Sequence, residues 1–196
     1  IDHLKFFYIN KYMIISIIGL GFVGNSMYNS FKLKGLVEDK TLFGYDKYKN
    51  GGIGIFDNCL NTNIMFLCLP TIYNDELAQY DKQPIIDTCN LLKKNKYKGC
   101  IVIKSTIEPE TTNNLSNLFP DLEFIHNPEF LTARTAFEDF HNQTHIVLGK
   151  GLNCSNLNLT NLKNFYKLLY PNAEISICSS LESESMKSFV NCFYSV

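Results

Sequence analysis

Apolar residues in this chain fall in short runs separated by stretches of helical spacing, and the alternation predicts the elements in order. The runs at residues 13–18, 41–45, 64–69, 101–103, 122–125, 146–148 and 174–178 have the length and β-branched content of buried strands. Between them, Val23, Met27 and Phe31 recur at a spacing of four. Further on, Pro84 suits a first helical turn and leads Ile85, Ile86, Cys89 and Leu92 along one face to a lysine-rich end. Residues 111–118, 132–140, 157–169 and 180–196 also read as helices, the last capped by Ser180 or Ser183, while Pro70 ends the third strand and 71–83 reads as a loop. Strands alternating with helices at this spacing predict an α/β fold with a doubly wound parallel sheet. We expect residues 1–12 to be an extension ahead of the natural start. Residues 13–179 would form one domain, and 180–196 the start of a central connecting helix.

The turn after the first strand carries candidate chemistry. Gly19, Gly21 and Gly24 form Gly-x-Gly-x-x-Gly directly between a strand and a helix. In that context Gly19 allows the tight turn and Gly21 lets backbone approach a pyrophosphate. Gly24 lets the helix pack on the strand, and the helix N-terminus at Phe22 and Val23 faces the phosphates. The second run ends in Asp46, placed to take the ribose hydroxyls and, by its charge, to favour NAD over NADP. This is the signature of a Rossmann-like, NAD-binding domain. A solvated turn acid at Asp46 is the competing reading.

Composition narrows the partners. With 196 residues, 45% hydrophobic and 19% charged, and a formal net charge of −1, nothing calls for nucleic acid or an anionic membrane. The seven cysteines stand singly, without Cys-x-x-Cys or paired histidines, so neither a metal site nor a disulfide framework is expected. No apolar run reaches the length of a membrane span, and the reducing cytoplasm is the expected compartment.

In a doubly wound sheet the ligand lies at the carboxyl ends of the strands. That rule puts the glycine turn, Asp46, residues 69–72, 104–107 and 126–130 on one rim. Lys104, Ser105 and Thr106 leave the fourth strand there, and Asn127, Pro128, Glu129 and Phe130 leave the fifth. Glu129, flanked by Pro128 and Phe130, is expected to be partly desolvated, which would raise its pKa towards that of a general base; the alternative is a surface acid. Thr106 could equally cap a turn. On the last helix Lys187 and Asn191, four apart, share a face that could hold a developing oxyanion or simply be solvated. Met186, Phe189, Val190 and Phe193 make a separate apolar stripe. His3, His126, His141 and His145 show no ligand spacing and read as structural.

Taken together, these motifs resemble the nucleotide-sugar 6-dehydrogenases, the family of UDP-glucose and GDP-mannose dehydrogenases. The likeness rests on the glycine turn, on Leu69, Pro70 and Thr71, on Lys104, Ser105 and Thr106, and on Asn127 to Leu131 continuing to Ala136, Asp139 and Phe140. It extends to Lys187 and Asn191. Such enzymes oxidise the C6 alcohol of a nucleotide sugar to a carboxylate with two NAD molecules. The resemblance implies that Asp46 holds the adenosine ribose and that Leu69, Pro70, Thr71, Ser105 and Thr106 line the cofactor, Thr106 next to the chemistry. It implies that Glu129 also contacts the cofactor side and positions or activates water, and that Lys187 and Asn191 stabilise oxyanions. Phe130, Leu131, Thr132 and Ala133 would contribute to the nucleotide-sugar site, with UDP-glucose the expected substrate. Many members continue with Arg-Glu-Gly where this chain has Thr132, Ala133 and Arg134. The family's Gly-Gly-Ser-Cys segment does not occur here, so the chain is expected to bind NAD and be inactive alone. A two-electron β-hydroxyacid dehydrogenase and a non-catalytic NAD-binding module are the alternatives. Self-association through residues 183–196, as a homodimer or with a separate C-terminal half, is also expected.

Overall fold

The computed structural model describes residues 13–76 and 78–194. The expected extension at 1–12 and residues 195–196, expected to continue the final helix, lie outside them. Four strands, β1 (Ile15–Ile18), β2 (Leu42–Tyr45), β3 (Ile64–Leu67) and β6 (Cys100–Ile103), pair in parallel and are joined in parallel by β7 (Glu123–His126). With β8 (His145–Lys150) and β9 (Glu174–Ser179) they form a seven-stranded sheet of order β2-β1-β3-β6-β7-β8-β9. Alternate residues of β3 feed opposite cores. Ile64 and Phe66 face α1 (Phe22–Leu33) and α6 (Asn156–Leu169), whereas Met65 and Leu67 face α2 (Phe56–Cys59), α3 (Gln83–Lys94) and α4 (Thr111–Leu118). On the first face Phe31 packs edge-on against Phe165, with ring centroids 5.2 Å apart, and against Phe140 at 5.8 Å. Helices on both faces of a mostly parallel sheet are the expected α/β architecture.

Some details depart from the sequence reading. The stretch read as a loop holds a small hairpin, β4 (Tyr73–Asn74) with β5 (Gln79–Tyr80). The helix expected at 132–140 is split into a 3-10 turn at Ala133–Thr135 and α5 (Ala136–His141). The third departure shapes the site, for β8 runs antiparallel to β7 and only then parallel to β9. The one α-helix in this connection, α5, has six residues and advances only about 9 Å along its axis. The chain starts β8 beyond the carboxyl end of β7 and runs back beside it. The 14-residue α6 does make a full crossover to β9.

The final helix, α7 (Ser180–Tyr194), follows β9 without a loop. Its cap is neither Ser180 nor Ser183. Ser179 and Glu182 form a reciprocal box, the Glu182 N–H donating to Ser179 Oγ at 3.2 Å and Ser179 N–H to Glu182 Oε2 at 2.8 Å. The two serines instead dock the helix. Ser180 Oγ donates to Asn113 Oδ1 at 2.8 Å, and Ser183 hydrogen-bonds His126 while seated on Gly149, where a Cβ would lie 2.5 Å from the Ser183 Cβ. Glu184, fully buried, accepts the N–H of Thr112 at 2.8 Å and its hydroxyl proton, which ties α7 to the start of α4.

Candidate active site

The glycine turn has the geometry that its sequence predicts. Gly19 sits at φ +88°, and a Cβ there would lie 2.4 Å from the Cys68 carbonyl oxygen. A Cβ on Gly24 would lie 1.9 Å from the Gly19 oxygen, so only glycine lets α1 leave the strand this closely. Gly21 faces open space, and α1 carries no acid in its first turn. A phosphate-sized anion therefore has room at a helix N-terminus whose backbone N–H groups it can accept from.

Asp46, at the exit of β2, is held by that turn. Its Oδ2 accepts the Leu20 N–H at 2.7 Å and its Oδ1 the N–H groups of Lys49 at 2.9 Å and Tyr48 at 3.0 Å. Burial works against ionisation, yet these backbone donors and the Lys49 charge outweigh it, leaving the carboxyl below its ordinary value. Oδ2 keeps a lone pair able to accept a further hydrogen bond. Lys49, which sequence reasoning passed over, donates Nζ to the Leu20 carbonyl and braces the turn from the other side.

The exits of β3 and β6 are laced together. Ser105 Oγ donates to the Leu69 carbonyl and Thr71 Oγ1 to the Thr106 carbonyl, both at 2.7 Å. Both hydroxyl protons are thus spent on shaping the rim around Leu69, Pro70 and Thr106.

At the exit of β7, Glu129 is half-buried and has a charged partner. It does not stand among apolar neighbours alone, because Lys187 on α7 reaches it. Lys187 Nζ donates to Glu129 Oε1 at 2.9 Å and to the Glu129 carbonyl at 2.6 Å, with the side chains 6% and 14% exposed. The other carboxylate oxygen accepts the Leu131 N–H at 2.8 Å, and the Lys187 ammonium stands 5.6 Å from the centre of the Phe130 ring. Asn191 follows one turn later on α7, half-buried. Phe130, Thr132 and Ala133 are exposed and Leu131 half-buried.

Sequence reasoning gave Lys104 no role. Lys104 is 3% exposed and donates to Asn127 Oδ1 at 3.1 Å and the Pro128 carbonyl at 3.4 Å; Tyr166 donates to the same Asn127 oxygen at 2.5 Å. Burial pushes its pKa down to about 8, with Cys68 and Glu129 opposing and Lys187 adding to the fall. The signal available was a lysine directly after an all-apolar strand. His126 keeps the structural role expected of it: fully buried, it is pushed down to about 3 by burial and by the charges of Lys104 and Lys187, and it holds Ser183 as a neutral ring.

Residues 53–170 match the model of the UDP-glucose/GDP-mannose dehydrogenase family, NAD binding domain. That segment contains Thr71, Ser105, Thr106 and Glu129, and begins after the glycine turn and Asp46. The UDP-glucose 6-dehydrogenase of Campylobacter jejuni is 28% identical over 134 residues, covering 68% of this chain and 33% of the relative. That of Rickettsia prowazekii is 30% identical over 138 residues, covering 68% and 31%. The chain thus spans about a third of the length of these curated relatives. Among solved structures, a GDP-mannose dehydrogenase from Pseudomonas aeruginosa superimposes with a TM-score of 0.74 at 21% identity, over 93% of this chain and 50% of that one. A UDP-glucose dehydrogenase from Pyrobaculum islandicum gives 0.75 at 20%, over 92% and 49%. The fold is shared with both, and the family match covers more than half of the sequence. The chain belongs to the UDP-glucose/GDP-mannose dehydrogenase family and carries its NAD-binding domain.

Proposed function

We propose that the chain is the cofactor-binding part of a nucleotide-sugar 6-dehydrogenase acting on UDP-glucose in the cytoplasm. The observation that carries this reading is the Lys187–Glu129 pair, which sets an ammonium and a carboxylate 2.9 Å apart at the carboxyl edge of the sheet, on the rim that includes the glycine turn. Gly19, Gly21, Gly24, Asp46, Thr71, Ser105 and Thr106 would hold NAD, together with the backbone of Phe22, Val23, Leu69 and Pro70. NAD supplies the hydride acceptor for oxidation of an alcohol carbon. Lys187 and Asn191 place donors where oxyanion charge develops. Glu129 offers a carboxylate able to hold a water and take its proton. Phe130 to Ala133 would border the nucleotide sugar.

Cys68 is poorly suited to covalent catalysis beside the pair. Cys68 senses the charges of Lys104 and Glu129, but burial pushes its pKa up to about 12, so it is a thiol at neutral pH. The test combines calorimetry with turnover. NAD should bind more tightly than NADP, and the chain mixed with UDP-glucose and NAD should give no steady NADH production. Tighter NADP binding would remove the role given to Asp46, and sustained NADH would show a complete catalytic set within these residues.

The assembly proposed is a homodimer through residues 183–196. One face of α7 is committed to its own domain through Ser183, Glu184 and Lys187, while Met186 and Phe189 on the opposite side are 40% and 77% exposed. A second copy of the same stripe is the occupant that this self-complementary apolar face fits. Sedimentation at tens of micromolar should give a dimer, and Phe189→Asp should return a monomer. A monomeric native chain would exclude this interface.

A further inference from the structure

One residue that departs from the family pattern lies across a cavity from the glycine turn. The cavity, of about 500 Å³, has Gly21, Phe22 and Lys49 on one wall and Arg134, with Phe137 and Glu138, on the other. Arg134 is exposed, and among the described residues it makes no hydrogen bond or ion pair. The 3-10 turn at Ala133–Thr135 that presents it is fixed from behind, since Asp139 Oδ2 accepts the Thr132 N–H and the Thr135 hydroxyl, each at 2.9 Å.

The geometry points to Arg134 as a ligand of the dinucleotide's diphosphate, closing from the far wall a site whose near wall is the N-terminus of α1 and Lys49. The inference rests on the NAD-binding reading and goes beyond the glycine turn. A diphosphate carries about two negative charges, and a helix N-terminus offsets about half of one. Lys49 already gives one proton to the Leu20 carbonyl, so its remaining donors are shared between turn and ligand. A guanidinium on the same cavity supplies the missing charge and a planar pair of donors for phosphate oxygens. Glu138, one turn on, faces the same cavity and opposes an anion there. Removing it should therefore act in the opposite sense to removing Arg134.

The experiment is NAD titration by calorimetry of the native chain, Arg134→Ala, Arg134→Lys and Glu138→Gln, at low and raised salt, with a melting curve for each. Arg134→Ala should raise the Kd about five- to tenfold at low salt, the net scale of one hydrogen bond at an exposed residue. The gap should narrow as salt screens it. Arg134→Lys should recover part of the loss, and Glu138→Gln should tighten binding. An Arg134→Ala Kd within twofold of native overturns the inference, as does a rise that ignores salt or comes with a lower melting temperature. Failure of the native chain to bind NAD would instead remove the cofactor reading itself.

Discussion

Gly24→Ala is expected to lower stability by about 1 to 3 kcal/mol or more and to cost most of the affinity for NAD. The added methyl would sit 1.9 Å from the Gly19 carbonyl oxygen, 3.0 Å from its carbon and 3.2 Å from the Cys68 Cβ. The first two obstacles are backbone, so no rotamer change relieves them, and overpacking of this kind has the cost quoted. Relief requires α1 to slide off β1, which carries its N-terminal N–H groups away from the turn that Asp46 and Lys49 hold. Gly21→Ala is the control. Nothing lies within 4 Å of a Cβ there, so the fold should keep native stability, and any effect should appear only with NAD present. Urea unfolding and calorimetry of both variants separate the cases. Native-like stability of Gly24→Ala would mean that the helix does not approach the strand as described.

The second large effect is expected at Lys187. Replacing it with Met keeps the apolar stem and leaves the Glu129 carboxylate, whose side chain is 14% exposed, without its cation. Solvent cannot substitute at that depth. Breaking a buried pair from one side costs about 3 to 5 kcal/mol, mostly the penalty of the stranded charge. Glu129→Gln should cost less, since an amide oxygen still accepts from the ammonium, and Lys187→Met with Glu129→Gln should cost less than the sum of the two. Chemical denaturation of the four proteins reads this directly. A loss below about 1 kcal/mol for Lys187→Met would place the pair with solvent-screened surface pairs. The helix should remain docked in the variant, because Ser180, Ser183 and Glu184 hold it to Asn113, His126 and Thr112 independently.

Much of the site was legible in the sequence because its parts are local. The glycine spacing fixes turn and helix start within six residues, and Asp46 follows from the end of the next strand. The four-residue spacing of Lys187 and Asn191 sets their common face. The partners of these groups were not legible. The Lys187 contact spans 58 residues of sequence, and Glu129, read by its neighbours Pro128 and Phe130, gave no sign of an ammonium beside it. The Thr71 and Ser105 hydroxyls, read as cofactor contacts, donate across the rim to carbonyls of another loop. The cap of α7 was displaced by one residue because Ser179 has its Glu three places on, at Glu182, whereas Ser180 and Ser183 are drawn into packing.

The sequence by itself determined the strand and helix order, the cofactor turn and the identity of the rim residues, since these depend on periodicity and on steric limits within a few residues. Only the tertiary structure decided the direction of β8, the pairing of Lys187 with Glu129, the burial of Lys104 and the meeting of Arg134 and Gly21 at one cavity. Each depends on how far a connection reaches and on what another segment brings to the same place. The chain reverses after β7, and the reversal lets β9 hand α7 back along the sheet to Glu129.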